Sequence, residues 1–121
     1  MIPVDQTYFE GDESGVQGNC LQAAFSSVLE KPLNSVPHFL EFEDWIGALY
    51  LYLDGKNLDL RVYHTDPGVE SIATGMSPRG VRHAIIWNRG MVHDPHPSRA
   101  GLTDEPSEFW VIVPKEPEKD E

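Results

Sequence analysis

The spacing of apolar residues changes period once along this chain, and that switch restricts its fold more than any other feature. Leu21, Ala24, Phe25, Val28 and Leu29 recur at helical spacing, and Phe42, Trp45, Ile46, Leu49, Tyr50 and Leu53 do so again. Beyond Gly55 the pattern becomes short stretches rich in strand formers, over 59–63, 71–74, 82–87, 91–93 and 109–113. Helices first and strands second predict an α+β domain with a mostly antiparallel sheet.

The boundaries follow from local chemistry. A first helix is predicted over 20–30, with Asn19 as its N-cap and Pro32 as its stop. A second is predicted over 41–54, with Glu41, Glu43 and Asp44 at the positive end of its dipole and Gly55 as the C′ glycine. Between them, 31–39 carries Pro32 and Pro37 and reads as an irregular link with a helical turn near 33–36. A short opening strand is expected at 2–4, then a glycine-rich loop over 10–18. Asn88-Arg89-Gly90 is the turn of a hairpin. The 121 residues suit one domain, expected over 1–113, and the charged, proline-containing stretch 114–121 reads as a frayed tail.

Charge and cysteine count remove several function classes. A net charge of −11 disfavours nucleic acid and anionic membrane surfaces, which both require clustered Lys and Arg. The single cysteine excludes a disulfide within the chain and a four-cysteine zinc site. No apolar run approaches ~20 residues, and the first residues lack the pattern of a signal peptide, so a cytoplasmic location is the default expectation.

The chemistry centres on Cys20, at the first turn of a predicted helix. Backbone N–H groups and the dipole there favour a thiolate. A thiol nucleophile needs a base, and the base needs an orienting group. His83 opens the strongest predicted strand, and Asp94 follows the hairpin that the strand begins. Pairing across the turn would bring Asp94 level with His83, within ~5.5 Å. Taken singly, Cys20 reads as a small core residue, His83 as a satisfied strand histidine and Asp94 as a turn residue before Pro95. Together they read as a nucleophile, its base and its orienter.

Gly18-Asn19-Cys20-Leu-Gln-Ala-Ala resembles the nucleophile helix of papain-like cysteine peptidases. His83-Ala-Ile-Ile-Trp, a turn, and Val92-His93-Asp94-Pro95 resemble the base and orienter segment. The pattern is similar to bacterial peptidases that trim double-glycine leaders, and to small bacterial and phage proteins with Gly-Asn-Cys near the start and His-Asp-Pro-His-Pro later. This resemblance implies a papain-like fold with Cys20, His83 and Asp94 as the catalytic triad. It also implies a glutamine before the cysteine as oxyanion donor. Gln6 and Gln17 are both candidates, with Gln6 preferred, and the Cys20 N–H would be the other donor.

Asn19, Arg79 and Trp87 are candidates to border the substrate cleft. For Arg79 a solvated turn is the plainer reading, and for Trp87 a place in the sheet. His93 and His96 are expected to line the cleft or stabilise a turn. A metal site made of His93, His96, Cys20 and His83 is disfavoured because Pro95 and Pro97 make the segment irregular. The expected function is cysteine-dependent hydrolysis of a peptide, isopeptide or small amide bond, needing no cofactor and no metal, with acyl transfer still open. The alternative is a non-catalytic binding module on the same scaffold, engaging a partner protein.

Overall fold

The computed structural model describes residues 1–9 and 18–115, so most of the expected glycine-rich loop, including Gln17, and residues 116–121 of the expected tail lie outside it. The chain forms helix α1 (Cys20–Leu29), two 3₁₀ turns (Leu33–Ser35 and Phe39–Glu41) and helix α2 (Trp45–Gly55), then strands β1 (Leu58–Tyr63), β2 (Ser71–Met76), β3 (Arg82–Trp87), β4 (Met91–His93) and β5 (Glu108–Pro114). All strand pairs are antiparallel, in the order β1-β5-β2-β3-β4. The architecture is α+β, with two helices beside a five-stranded antiparallel sheet.

Helix α1 starts at Cys20 as its spacing predicts, but Asn19 does not cap it with its side chain. The first helical bond is the Ala23 N–H donating to the Asn19 carbonyl at 3.0 Å. The helix closes on Glu30, whose φ of 57° is left-handed and whose N–H returns to the Ser26 and Ser27 carbonyls. Leu21, Ala24 and Phe25 enter the main core with Phe39, Leu49, Leu53, Ile72, Ile86 and Trp110. The Phe25 ring meets Phe39 edge-on at 5.4 Å. Burying an apolar side chain of that size contributes roughly 1.5–3 kcal/mol.

Helix α2 begins at Trp45, four residues later than the acidic cluster suggests, because Asp44 takes the N-cap. Its Oδ1 accepts the Gly47 N–H at 3.0 Å. A Cβ on residue 47 would lie 2.3 Å from the Asp44 carboxylate, so glycine is what lets the cap close. Phe42 before it is extended, after the 3₁₀ turn. Gly55 is the last helical residue rather than the C′ residue. The left-handed position falls on Asn57, with φ of 59°.

Two further expectations are corrected. Residues 2–4 do not join the sheet; the Ile2 N–H donates to the Ser27 carbonyl and the Val4 N–H to Ser27 Oγ, so the opening segment runs along α1. Pro114 belongs to β5, and the Lys115 N–H donates to the Asn57 carbonyl, so ordered structure extends past 113.

Strand β2 is buried from Ser71 to Gly75 because both sheet faces are covered. Ile72, Ala84 and Ile86 face the helices, while Ala73, Ile85 and Phe109 form a second cluster with Trp87 and Leu102. Helix α1 packs on β3 and β2, which fixes the start of the helix against the start of β3. Among the described residues, no helix is long and apolar enough to cross a membrane.

Candidate active site

Cys20 opens α1 and His83 lies in β3, and the two line the same cleft. The His83 ring bonds Asp94, with Nε2 at 2.5 Å from Oδ1. Nε2 being taken, Nδ1 is the ring nitrogen left over. All three residues are buried. The imidazole and the carboxylate are thus bonded, and the sulfur lines the same cleft as the ring.

Asp94 reaches His83 by a different route from the one the hairpin suggests. The ladder sets His93 opposite Ile86, with a bulge at Ile86/Trp87, so Asp94 is not opposite His83. Strand β4 ends at His93, and the chain then folds around the Asp94 carboxylate. Oδ1 accepts the His96 N–H at 2.9 Å, and Oδ2 accepts the Gly101 N–H at 2.7 Å. Pro95, without an N–H, sits at the bend.

These contacts set the charge states. Burial pushes the Asp94 carboxyl up, but the bonds from His83, His96 and Gly101 outweigh it and hold the group at about 2. Burial likewise pulls His83 down, and the bonds to Asp94 and Cys20 outweigh it and raise the imidazole to about 9. At neutral pH His83 is thus an imidazolium locked against a carboxylate.

A cleft opens on either side of the pair. Its polar lobe encloses about 120 Å³ and is lined by Gln6, Phe9, Arg79 and His96 together with Cys20 and His83. Its apolar lobe encloses about 260 Å³ and is lined by Leu21, Trp45 and Trp110, again with Cys20 and His83. Leu40 and Arg82 border both lobes.

Gln6, the preferred oxyanion candidate, is in the polar lobe and buried. One Nε2 hydrogen goes to the Tyr8 carbonyl at 2.9 Å, which leaves the other free in this arrangement. Its Oε1 is buried without a partner. The segment bearing Gln6 is pinned to the loop after β4. The Gln6 N–H donates to the Pro95 carbonyl at 3.1 Å. Arg99 grips Asp5 through Nη1 at 2.6 Å and Nη2 at 2.8 Å, and also donates to the Asp94 carbonyl at 2.5 Å. As the first residue of α1, Cys20 has a backbone N–H with no acceptor within its own helix.

The other sequence candidates divide. Arg79 does border the cleft, with Nη1 at 3.3 Å from Ser98 Oγ. His96 lines it too, its ring edge-on to His83 at 6.2 Å. Burial and the nearby Arg79 charge hold His96 below the ordinary histidine value, and its Nδ1 accepts the Ser98 N–H at 3.1 Å. His93 lies elsewhere, 3.2 Å from both the Val4 carbonyl and Asp5 Oδ1.

Asn19 and Trp87 do not border the cleft. Asn19 is only 1% exposed, and its amide is fully engaged. Oδ1 accepts the Thr7 and Tyr8 N–H groups at 2.8 Å each, while Nδ2 donates to Thr7 Oγ1 and Gln22 Oε1. It ties the Gln6 segment to the start of α1. Trp87 packs on Phe109 on the far sheet face, and its Nε1 donates to Asp66 at 3.0 Å.

Sequence reasoning missed Phe9, Leu40, Arg82, Trp45 and Trp110 as cleft residues. Adjacency to His83 is the one signal that could have flagged Arg82. Among the described residues, no group of three or more His, Cys, Asp and Glu is arranged to hold a metal ion. Comparison with protein-family models, curated proteins and solved structures found no match in any of the three.

Proposed function

We propose that this chain is a cysteine-dependent hydrolase of papain-like type, acting on a peptide, isopeptide or small amide bond. The observation that carries this reading is that Cys20 and His83 line one cleft together, with the His83 ring bonded at 2.5 Å to the Asp94 carboxylate. A helix start supplying the nucleophile, packed against an antiparallel strand supplying the base, is also the arrangement a papain-like scaffold uses.

In the reacting form the proton of Cys20 resides on His83. The thiolate attacks the carbonyl carbon, forming a C–S bond and a tetrahedral oxyanion. The Cys20 N–H and the free Nε2 hydrogen of Gln6 donate to that oxyanion. His83 gives its proton to the leaving nitrogen as the C–N bond breaks, leaving an acyl thioester. Neutral His83 then takes a proton from water, whose oxygen attacks the thioester. The acid departs and the thiolate–imidazolium pair is restored. Asp94 is a positioning residue throughout, fixing the ring and stabilising its charge.

Alkylation by iodoacetamide tests the reading. Cys20 is expected to react faster than a free cysteine at pH 7, and His83→Ala is expected to slow it by roughly ten-fold or more. A thiol that reacts no faster than free cysteine and ignores His83→Ala would instead favour a binding module on the same scaffold.

A further inference from the structure

Resting on the hydrolase reading, we propose that the apolar lobe is a specificity subsite. It takes a large aromatic or aliphatic side chain from the residue flanking the scissile bond.

The two lobes meet at the reacting atoms, because Cys20 and His83 line both. Gln6 lies only in the polar lobe, so a carbonyl oxygen directed at Gln6 leaves the apolar lobe to a substituent of the same reacting carbon. The walls there are mainly apolar. Trp45 and Trp110 stack at 6.4 Å with an interplanar angle of 18°, and Leu21 and Leu40 complete the enclosure.

Two of its polar lining groups make bonds within the fold. Glu108 Oε1 accepts the Trp110 Nε1–H at 3.3 Å, and Arg82 Nη2 donates to Ser107 Oγ at 3.2 Å. The largest apolar side chains of the lining are the two indoles. At about 260 Å³ the lobe falls short of the roughly 300–1,000 Å³ that holds a whole small-molecule ligand, and it suits one side chain of an extended peptide. A glycine beside the bond would leave it empty. The subsite thus separates this chain from peptidases that select paired glycines.

The test compares alkylation of Cys20 by iodoacetamide and by 2-iodo-3-phenylpropanamide, whose benzyl group sits on the reacting carbon, each rate divided by that for free cysteine. In wild-type protein the benzyl reagent is expected to gain roughly ten-fold, from burial of the ring. N-acetylphenylalaninamide should protect Cys20 at concentrations where N-acetylglycinamide does not. In Trp45→Ala the benzyl-to-parent ratio is expected to fall toward one. The protection arm uses wild-type protein alone, so it stands even if Trp45→Ala fails to fold. A His83-dependent thiol without preference for the benzyl reagent or the phenylalanine amide overturns the subsite and leaves the hydrolase reading in place. An inert thiol that also ignores His83→Ala overturns both.

Discussion

Asp94 bonds His83 at 2.5 Å although the β3–β4 ladder pairs neither with the other. The bond depends on the chain leaving β4 after His93 and wrapping the carboxylate with the N–H groups of His96 and Gly101. The positioning group is therefore held by a loop built around it.

That construction makes Asp94→Asn costly in two ways. An asparagine amide presents N–H₂ on one side, so it opposes either the Gly101 N–H or, turned the other way, the His96 N–H and the His83 ring together. Urea unfolding is expected to show a loss of about 1–3 kcal/mol. Hydrolysis is expected to fall by roughly a hundred-fold or more, and the alkaline limb of its pH profile should drop by about one to three pH units as His83 loses its counter-charge.

The same carboxylate predicts a pH window for stability. Its value is about 2 in the folded chain against 3.8 ordinarily, so its contribution is complete above about 3.8 and is lost as pH falls toward 2. His83 has the opposite sign: raised from 6.5 to about 9, it contributes fully below 6.5, and that contribution is lost as pH rises through 9. Thermal melting of wild type should therefore decline at both ends, and a His83→Phe variant should show a weaker alkaline decline between pH 6.5 and 9.

Gln6→Ala is expected to reduce kcat by roughly 10²–10³ with a smaller effect on KM, the signature of a donor to the oxyanion. A change in KM alone would make Gln6 a ground-state contact.

Asn19→Ala should destabilise the fold by at least about 2 kcal/mol in urea titrations, because the Thr7 and Tyr8 N–H groups lose their acceptor. Because those bonds hold the Gln6 segment, activity should fall in the folded variant as well.

The contrast between Asn19 and Cys20 shows what the sequence makes legible. Helical spacing placed the start of α1 at Cys20, and the Asn88-Arg89-Gly90 turn placed β3 and β4. Both are local patterns. Asn19 beside them looks like an N-cap because that is its commonest local role, but its partners, Thr7 and Tyr8, lie 12 and 11 residues back along the chain. Strand order is equally non-local: β5 is the last strand in the chain and sits between β1 and β2. Trp45 and Trp110 meet only because α2 packs on β1, the sheet neighbour of β5, and no periodicity records such a meeting. The Asp44 cap displaced the start of α2 because a side chain bonding Gly47 outcompeted the earlier acidic residues.

The most direct test of the Cys20–His83–Asp94 chain is the titration of the His83 ring followed by NMR. Wild-type protein should show a midpoint near 9, moving down in both Cys20→Ala and Asp94→Asn. A midpoint near the ordinary 6.5 that neither substitution moves would contradict the account, since it would mean the ring senses neither the sulfur nor the carboxylate.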